Sequence, residues 1–397
     1  MPATDPYTQQ ALEHIRYLSE TIGGRGSCTP AERRAAEYAA EQMRFLGLAD
    51  VRLETFRGAT STYRPYALAF GVALLGALLA WVVPVRGTMA IAALLSALSA
   101  WGMLVESDFT ASWLRWLLPK ASSQNAVGVI PATAEVRNHV VLSAHLDTHR
   151  TPIFYSSPTW HKLFGFLVTG ALLSLVIGAV AYGLGALFGW HWVRWIGLVL
   201  AAMQAFLLAL CIHADVTPFS PGANDDASGV GVILGLTERL REEPLAHTDV
   251  WLALTDCEET MAYGMVSFLD AHTAELGEGA VYIILDEVGL GRIMFLTADG
   301  LVVKRKTHPR ALELARSGAT SLPELKVGEH VGIAYTDAAV ATKRGLIALT
   351  VDALPPPDAE DAMHWHQMSD TLDHVDLQSL ADAHAFTWQV LQAIDRS

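Results

Sequence analysis

The 397-residue chain has only three cysteines, Cys28, Cys211 and Cys257. None has a partner at the spacing of a disulfide framework or a cysteine-type zinc site, so neither is expected. Charge is scarce too: charged residues make up 17% and hydrophobic residues 52%, where about 25% charged is usual for soluble globular chains. No basic run could track a phosphate backbone, and the net charge of −14 points away from nucleic acid as a partner. Residues 1–65 are polar and mixed, with no charged-then-apolar stretch, so no cleaved signal segment is expected.

The charge deficit is local. Tyr66–Pro84, Thr88–Val105, Leu163–Trp190 and Trp195–Ile212 contain no Asp, Glu, Lys or Arg. Without them the chain is about 22% charged, close to an ordinary soluble domain. Each stretch approaches the roughly 20 apolar residues that cross a hydrocarbon core, and Tyr66, Trp101, Trp190, Trp192 and Trp195 mark their ends as interfacial aromatics do. A helix buried in a soluble core keeps a polar face; GALLSLVIGAVAYGLGALFGW has none.

The linkers within the pairs, Val85-Arg86-Gly87 and His191-Trp192-Val193-Arg194, are short, so each pair is expected to form a hairpin that returns to its own side. Residues 1–65, 106–162 and 213–397 then share one compartment and form one domain, interrupted by hairpins at 66–105 and 163–212. Arg57, Arg64, Arg115, Lys120, Arg150 and Lys162 flank the spans on that side, against Arg86 and Arg194 opposite. The excess places the domain in the cytoplasm, with the spans in the plasma (inner) membrane. Unpaired cysteines agree with that compartment.

Outside the spans, short runs rich in β-formers (VRLETF, HVVLSA, DVWLALT, VYIIL and LIALTV) alternate with helical patterns. Thr29-Pro30-Ala31-Glu32 reads as a capping box opening a helix that stops at Gly47. The pattern predicts an α/β domain with a mostly parallel, buried central sheet flanked by helices. Ligands gather at the carboxyl ends of such strands, where His145 and Asp147, Glu258 and Glu259, and Asp286 fall.

A single His-x-Asp is weak evidence, and this chain has four, beginning at His145, His213, His247 and His374. Only the first ends a candidate buried strand. The ordered series is more specific: SAHLDTH, PGANDDASGV, DCEET, LDEVG and WHQMSDT. It resembles the co-catalytic di-zinc exopeptidases, a family that includes secreted bacterial leucyl aminopeptidases, glutamate carboxypeptidases and glutaminyl cyclases. The resemblance extends to GGRGSCTPAERRAAEYAAEQMRFLG and NAVGVI, and makes the two hairpins insertions into the family domain.

That resemblance implies two zinc ions, or other divalent metals in their place. Asp225 would bridge them, with His145 and Asp286 completing one site and Glu259 and His366 the other. Glu258 would be the general base, and Asp147 the carboxylate that orients His145. His364 competes with His366, and Asp226 with Asp225; the spacing of the family pattern favours His366 and Asp225. Thr260-Met261 stands where the family often has glycine. The late Ser-Asp-His segment appears as Tyr335-Thr336-Asp337-Ala338, leaving Tyr335 either an oxyanion donor or a packed core residue.

The expected function is therefore a membrane-anchored aminopeptidase. The alternatives are glutaminyl cyclisation at a single zinc and a catalytically inactive membrane scaffold. A transporter is disfavoured because the spans hold no ionisable residue, and only Gln204 among them is strongly polar. The segments joining Asp147 and Asp225 to the spans are short: at about 3.6 Å per residue they reach no more than roughly 40–55 Å. Peptide substrates are thus expected to be apolar or membrane-proximal, with the bilayer as the other partner.

Overall fold

The computed structural model of the chain describes residues 5–355 and 364–397. It divides into two compact units: 1–60, 120–150 and 218–397 form one, and 61–119 with 151–217 the other.

The first unit is built on a sheet of β1 (Ala49–Ala59), β2 (Lys120–Ile130), β3 (Asn138–His145), β4 (Thr248–Thr255), β5 (Val281–Leu285), β6 (Arg292–Asp299), β7 (Arg305–Lys306), β8 (Gly328–Val331) and β9 (Ile347–Leu354). The order is β1-β2-β4-β3-β5-β9-β6-β7, with β8 paired to β6. The four central strands, β4, β3, β5 and β9, are parallel. β1, β2 and β6 are antiparallel to their inward neighbours, so the mostly parallel sheet holds at its centre and turns mixed towards its edges. Val140, Val141 and Leu142 are fully buried. That is why β3 reads as a continuous apolar run: helices cover both of its faces.

Register decides which segments share an edge of the sheet. His145 lies opposite Thr255 in the β3–β4 pair, and Leu285 opposite Val351 in the β5–β9 pair. The residues just beyond these ends therefore leave the sheet along one rim. The helix Ala227–Glu242 packs close to Pro6–Arg16: a Cβ on Gly231 would come within 2.6 Å of the Ala11 carbonyl, and one on Gly235 within 2.8 Å of the Tyr7 carbonyl. Any other residue at either position would push the two helices apart.

The helix Pro30–Phe45 starts as expected, with Thr29 Oγ1 accepting from the Glu32 N–H at 3.3 Å. The return half of the capping box differs. Glu32 accepts from the Cys28 N–H at 2.8 Å and from Ser123 Oγ at 2.9 Å, while the Thr29 N–H is taken by the Gly26 carbonyl. The chain has turned one residue early, and the carboxylate follows the donor that lacks a partner.

The second unit holds four helices long and apolar enough to cross a membrane: Tyr63–Val82, Arg86–Glu106, Pro158–Phe188 and Val193–Val216. Its interior is lined by small residues such as Ala77, Ala80, Ala92 and Ala201. Large ones point outward, with Leu75 65%, Leu94 67% and Val199 71% exposed. That inverted arrangement is how helices pack when the surrounding medium is itself apolar. The few buried polar groups include Ser96, Ser99 and Gln204, and a buried ion pair joins Glu106 to Arg115. Near the loop between the third and fourth helices, Arg194 lies over the rings of Trp81 and Trp195.

Candidate metal centre

The rim defined by the parallel strands brings together a set of acidic and histidine residues of the first unit. Two groups form there, each with its ligand atoms within 4.8 Å of one another: His145, Asp225 and Asp286, and His149, Glu259 and His366. Asp225 faces both. Its Oδ1 is 3.2 Å from His145 Nε2 and its Oδ2 is 3.1 Å from His366 Nε2. His145 Nε2 is also 3.9 Å from Asp286 Oδ1, and His366 Nε2 is 3.5 Å from Glu259 Oε2. All five residues singled out as ligands in the sequence meet here. His149 joins them without having been expected.

The rival residues go elsewhere. Asp226 is a backbone staple: its carboxylate accepts from the N–H groups of His145, Gly229 and Glu287 at 3.1, 3.0 and 3.2 Å. It caps the helix Ala227–Glu242 and ties that helix to the ends of β3 and β5. His364 is hydrogen-bonded to Ser369 at 2.8 Å and stacked on His374.

Supporting residues hold the ligands from behind. His145 Nδ1 is 3.0 Å from the backbone carbonyl of Asp147 and 3.6 Å from its carboxylate. The Asp147 side chain, besides facing His145, grips the neighbouring loop. It accepts from the Glu258 and Glu259 N–H groups at 3.0 and 3.3 Å, and from Ser27 Oγ at 2.6 Å. Asp370 accepts from the N–H groups of Asn224 and Asp225 at 2.7 and 3.1 Å. The fully buried Arg25 guanidinium donates to the carbonyls of Leu146, Leu18, Gly23, Pro221 and Gly222, so one side chain joins the segments that carry Asp147 and Asp225. Asp370 and Arg25 sit inside segments that the sequence motifs cover, but their bonds reach backbone groups far along the chain, which sequence spacing does not reveal.

Tyr335 donates to the Glu258 carbonyl at 3.0 Å and accepts from the Met261 N–H at 3.1 Å. Its hydroxyl proton thus serves the loop carrying Glu258. Met261 has φ of 81° and Ala262 of 51°, so the chain keeps at these side-chain-bearing positions a left-handed conformation that glycine adopts more readily. Among the described residues all three cysteines are free; Cys28 and Cys257 lie with their sulfurs 3.5 Å apart behind the loop.

Burial dominates the electrostatics. It pushes the carboxyls of Glu258, Glu259 and Asp286 well above the ordinary range. Burial acts on Asp225 in the same direction, yet the hydrogen bonds from His145 and His366 hold it below. Burial, and then the neighbouring His366, keeps His149 well below the usual histidine range. Carboxylates crowded in a dry pocket favour bound cations, whose charge reverses this tendency. Imidazole nitrogen with carboxylate oxygen is a donor set that zinc accepts, so the residues present fit the ions expected.

The class defined by this sheet and rim is the zinc-exopeptidase fold. The fold matches the zinc aminopeptidase BSAP from Bacillus subtilis with TM-score 0.59 and 15% identity, covering 97% of this chain and 95% of that one. It matches the Bacteroides thetaiotaomicron glutaminyl cyclase with TM-score 0.56 and 15% identity, covering 98% of each. Residues 199–391 match the model of peptidase family M28. In sequence the chain is 26% identical over 200 residues to the probable lipoprotein aminopeptidase LpqL of Mycobacterium tuberculosis, covering 42% of this chain and 38% of that protein. It is 30% identical over 140 residues to the alkaline phosphatase isozyme conversion protein of Escherichia coli, covering 33% and 40%. The chain thus spans about two fifths of the length of these curated relatives.

Proposed function

We propose that the chain is a membrane-anchored zinc aminopeptidase, removing residues from the N-termini of peptides. The observation that carries this reading is the pair of buried donor groups joined through Asp225, with Glu258 beside them. When bound, two zinc ions would lower the pKa of a shared water and polarise the scissile carbonyl. Glu258 would take the water's proton and pass it to the leaving amine. Among the described residues its Oε1 has no hydrogen-bond partner, so that oxygen is not committed elsewhere. Asp147 and Tyr335 grip the Glu258 backbone and fix where its carboxylate points. Cyclisation of N-terminal glutamine at a single zinc would need only one donor group, and the presence of both favours hydrolysis.

Purified full-length protein should release amino acids from peptides with a free N-terminus and spare the same peptides once acetylated. Cleavage of both at equal rates would exclude an aminopeptidase.

The four apolar helices would anchor the enzyme in the plasma membrane, with the donor-bearing unit in the cytoplasm, as the distribution of Lys and Arg suggests. Cysteines engineered beside Arg86 and Arg194 should then react with an impermeant reagent on intact cells, and cysteines engineered in 370–397 should not. The opposite pattern would turn the domain outward.

A further inference from the structure

His149 follows His145 by four residues, beyond the strand end that presents the first ligand. Its backbone is pinned on both sides. The Ser220 N–H donates to the His149 carbonyl at 2.9 Å, the Thr148 N–H donates to the Arg25 carbonyl at 3.2 Å, and Arg150 pairs with Phe219 in an isolated bridge. The side chain is only 6% exposed, and its Nε2 lies 3.9 Å from Glu259 Oε2. Its ring stacks on that of His366, with centroids 3.7 Å apart and planes within 16°.

The other ring nitrogen decides the chemistry. His149 Nδ1 is 2.7 Å from the Arg150 carbonyl oxygen. A carbonyl brings no proton, so Nδ1 must donate. In the neutral ring Nε2 then carries the lone pair, 3.9 Å from Glu259 Oε2. An outer hydrogen bond that fixes the tautomer is the usual way a protein prepares a histidine to bind metal.

We propose that His149 is a sixth metal ligand. One ion is held by His149, Asp225, Glu259 and His366, the other by His145, Asp225 and Asp286. This assignment rests on the two-metal function proposed for the chain and adds an asymmetry to it. Four protein ligands close a tetrahedral zinc site, whereas three leave a position open. The ion beside His145 and Asp286 therefore keeps the more open position, and the ion beside His149 would share the water only by expanding to five ligands.

The test uses full-length protein in detergent, loaded with zinc. X-ray absorption of the parent should count three imidazoles per pair of ions. In His149→Ala and His149→Phe the count should fall to two. A competing chelator should then remove one ion at least about tenfold more readily while the other keeps its parental affinity. A parental count of two imidazoles, or variants that hold both ions as tightly as the parent, would overturn the assignment and leave the two-metal reading standing. A parent that binds fewer than two ions would overturn both. Because the parental count needs no variant, misfolding of a variant cannot hide the answer.

Discussion

Glu258→Gln should keep both ions and lose turnover by about 10²–10⁴-fold, the usual range for removing a positioned general base. The substitution preserves shape and leaves the loop's anchors in place, because Asp147 and Tyr335 hold this residue through its backbone N–H and carbonyl. The candidate metal donors are Asp225, Glu259, Asp286 and three histidines, none of which is altered. What disappears is the ability to accept a proton. Zinc content by mass spectrometry and turnover on an aminoacyl reporter read the two properties separately. Near-parental turnover would remove Glu258 from the mechanism, and loss of zinc would make it a ligand.

Asp225→Ala should lose both ions and all measurable activity. Among the described residues, the Asp225 carboxylate contacts histidines of both donor sets, Oδ1 facing His145 and Oδ2 facing His366. Without it each set keeps donors, but the buried carboxyls of Glu259 and Asp286 lose the shared counter-ions that offset burial. The backbone should stay in place, since Asp370 holds the Asp225 N–H and Asp226 independently ties the helix to the strand ends. Circular dichroism matching the parent, with zinc below one ion per chain, is the expected result. Retention of two ions would show that Asp225 is not shared.

Much of the fold and the donor set was legible in the sequence because the signals are local. Uncharged runs of span length are unmistakable, and β3, β4, β5 and β9 announce themselves as apolar runs because each is buried on both faces. The ligands fall at strand ends, where parallel register brings distant segments to one rim. β2, β6 and β8 were harder to read: β2 carries Ser122, Ser123, Gln124 and Asn125 in its middle, and β8 has only four residues. Their places are set by partners across the sheet, not by periodicity.

His149 escaped for a different reason. A histidine four residues past a ligand has no meaning until the chain bends, and only the stacking on His366 reveals its direction. Asp147, read as the orienting partner of His145, faces that ring and also binds the Glu258–Glu259 backbone. The pull of those two buried N–H groups is invisible in a linear string. Met261 likewise stands where a glycine is common, held in a left-handed turn with its N–H on Tyr335.

Zinc content measured together with product identity tests most directly whether two ions serve an aminopeptidase. Full-length protein, purified in detergent and dialysed against zinc-free buffer, should carry two zinc ions per chain. It should release free amino acids from unblocked peptides, stop when a chelator is added and recover with zinc. A single zinc per chain, with ammonia released from N-terminal glutamine and no amino acid set free, would contradict the account.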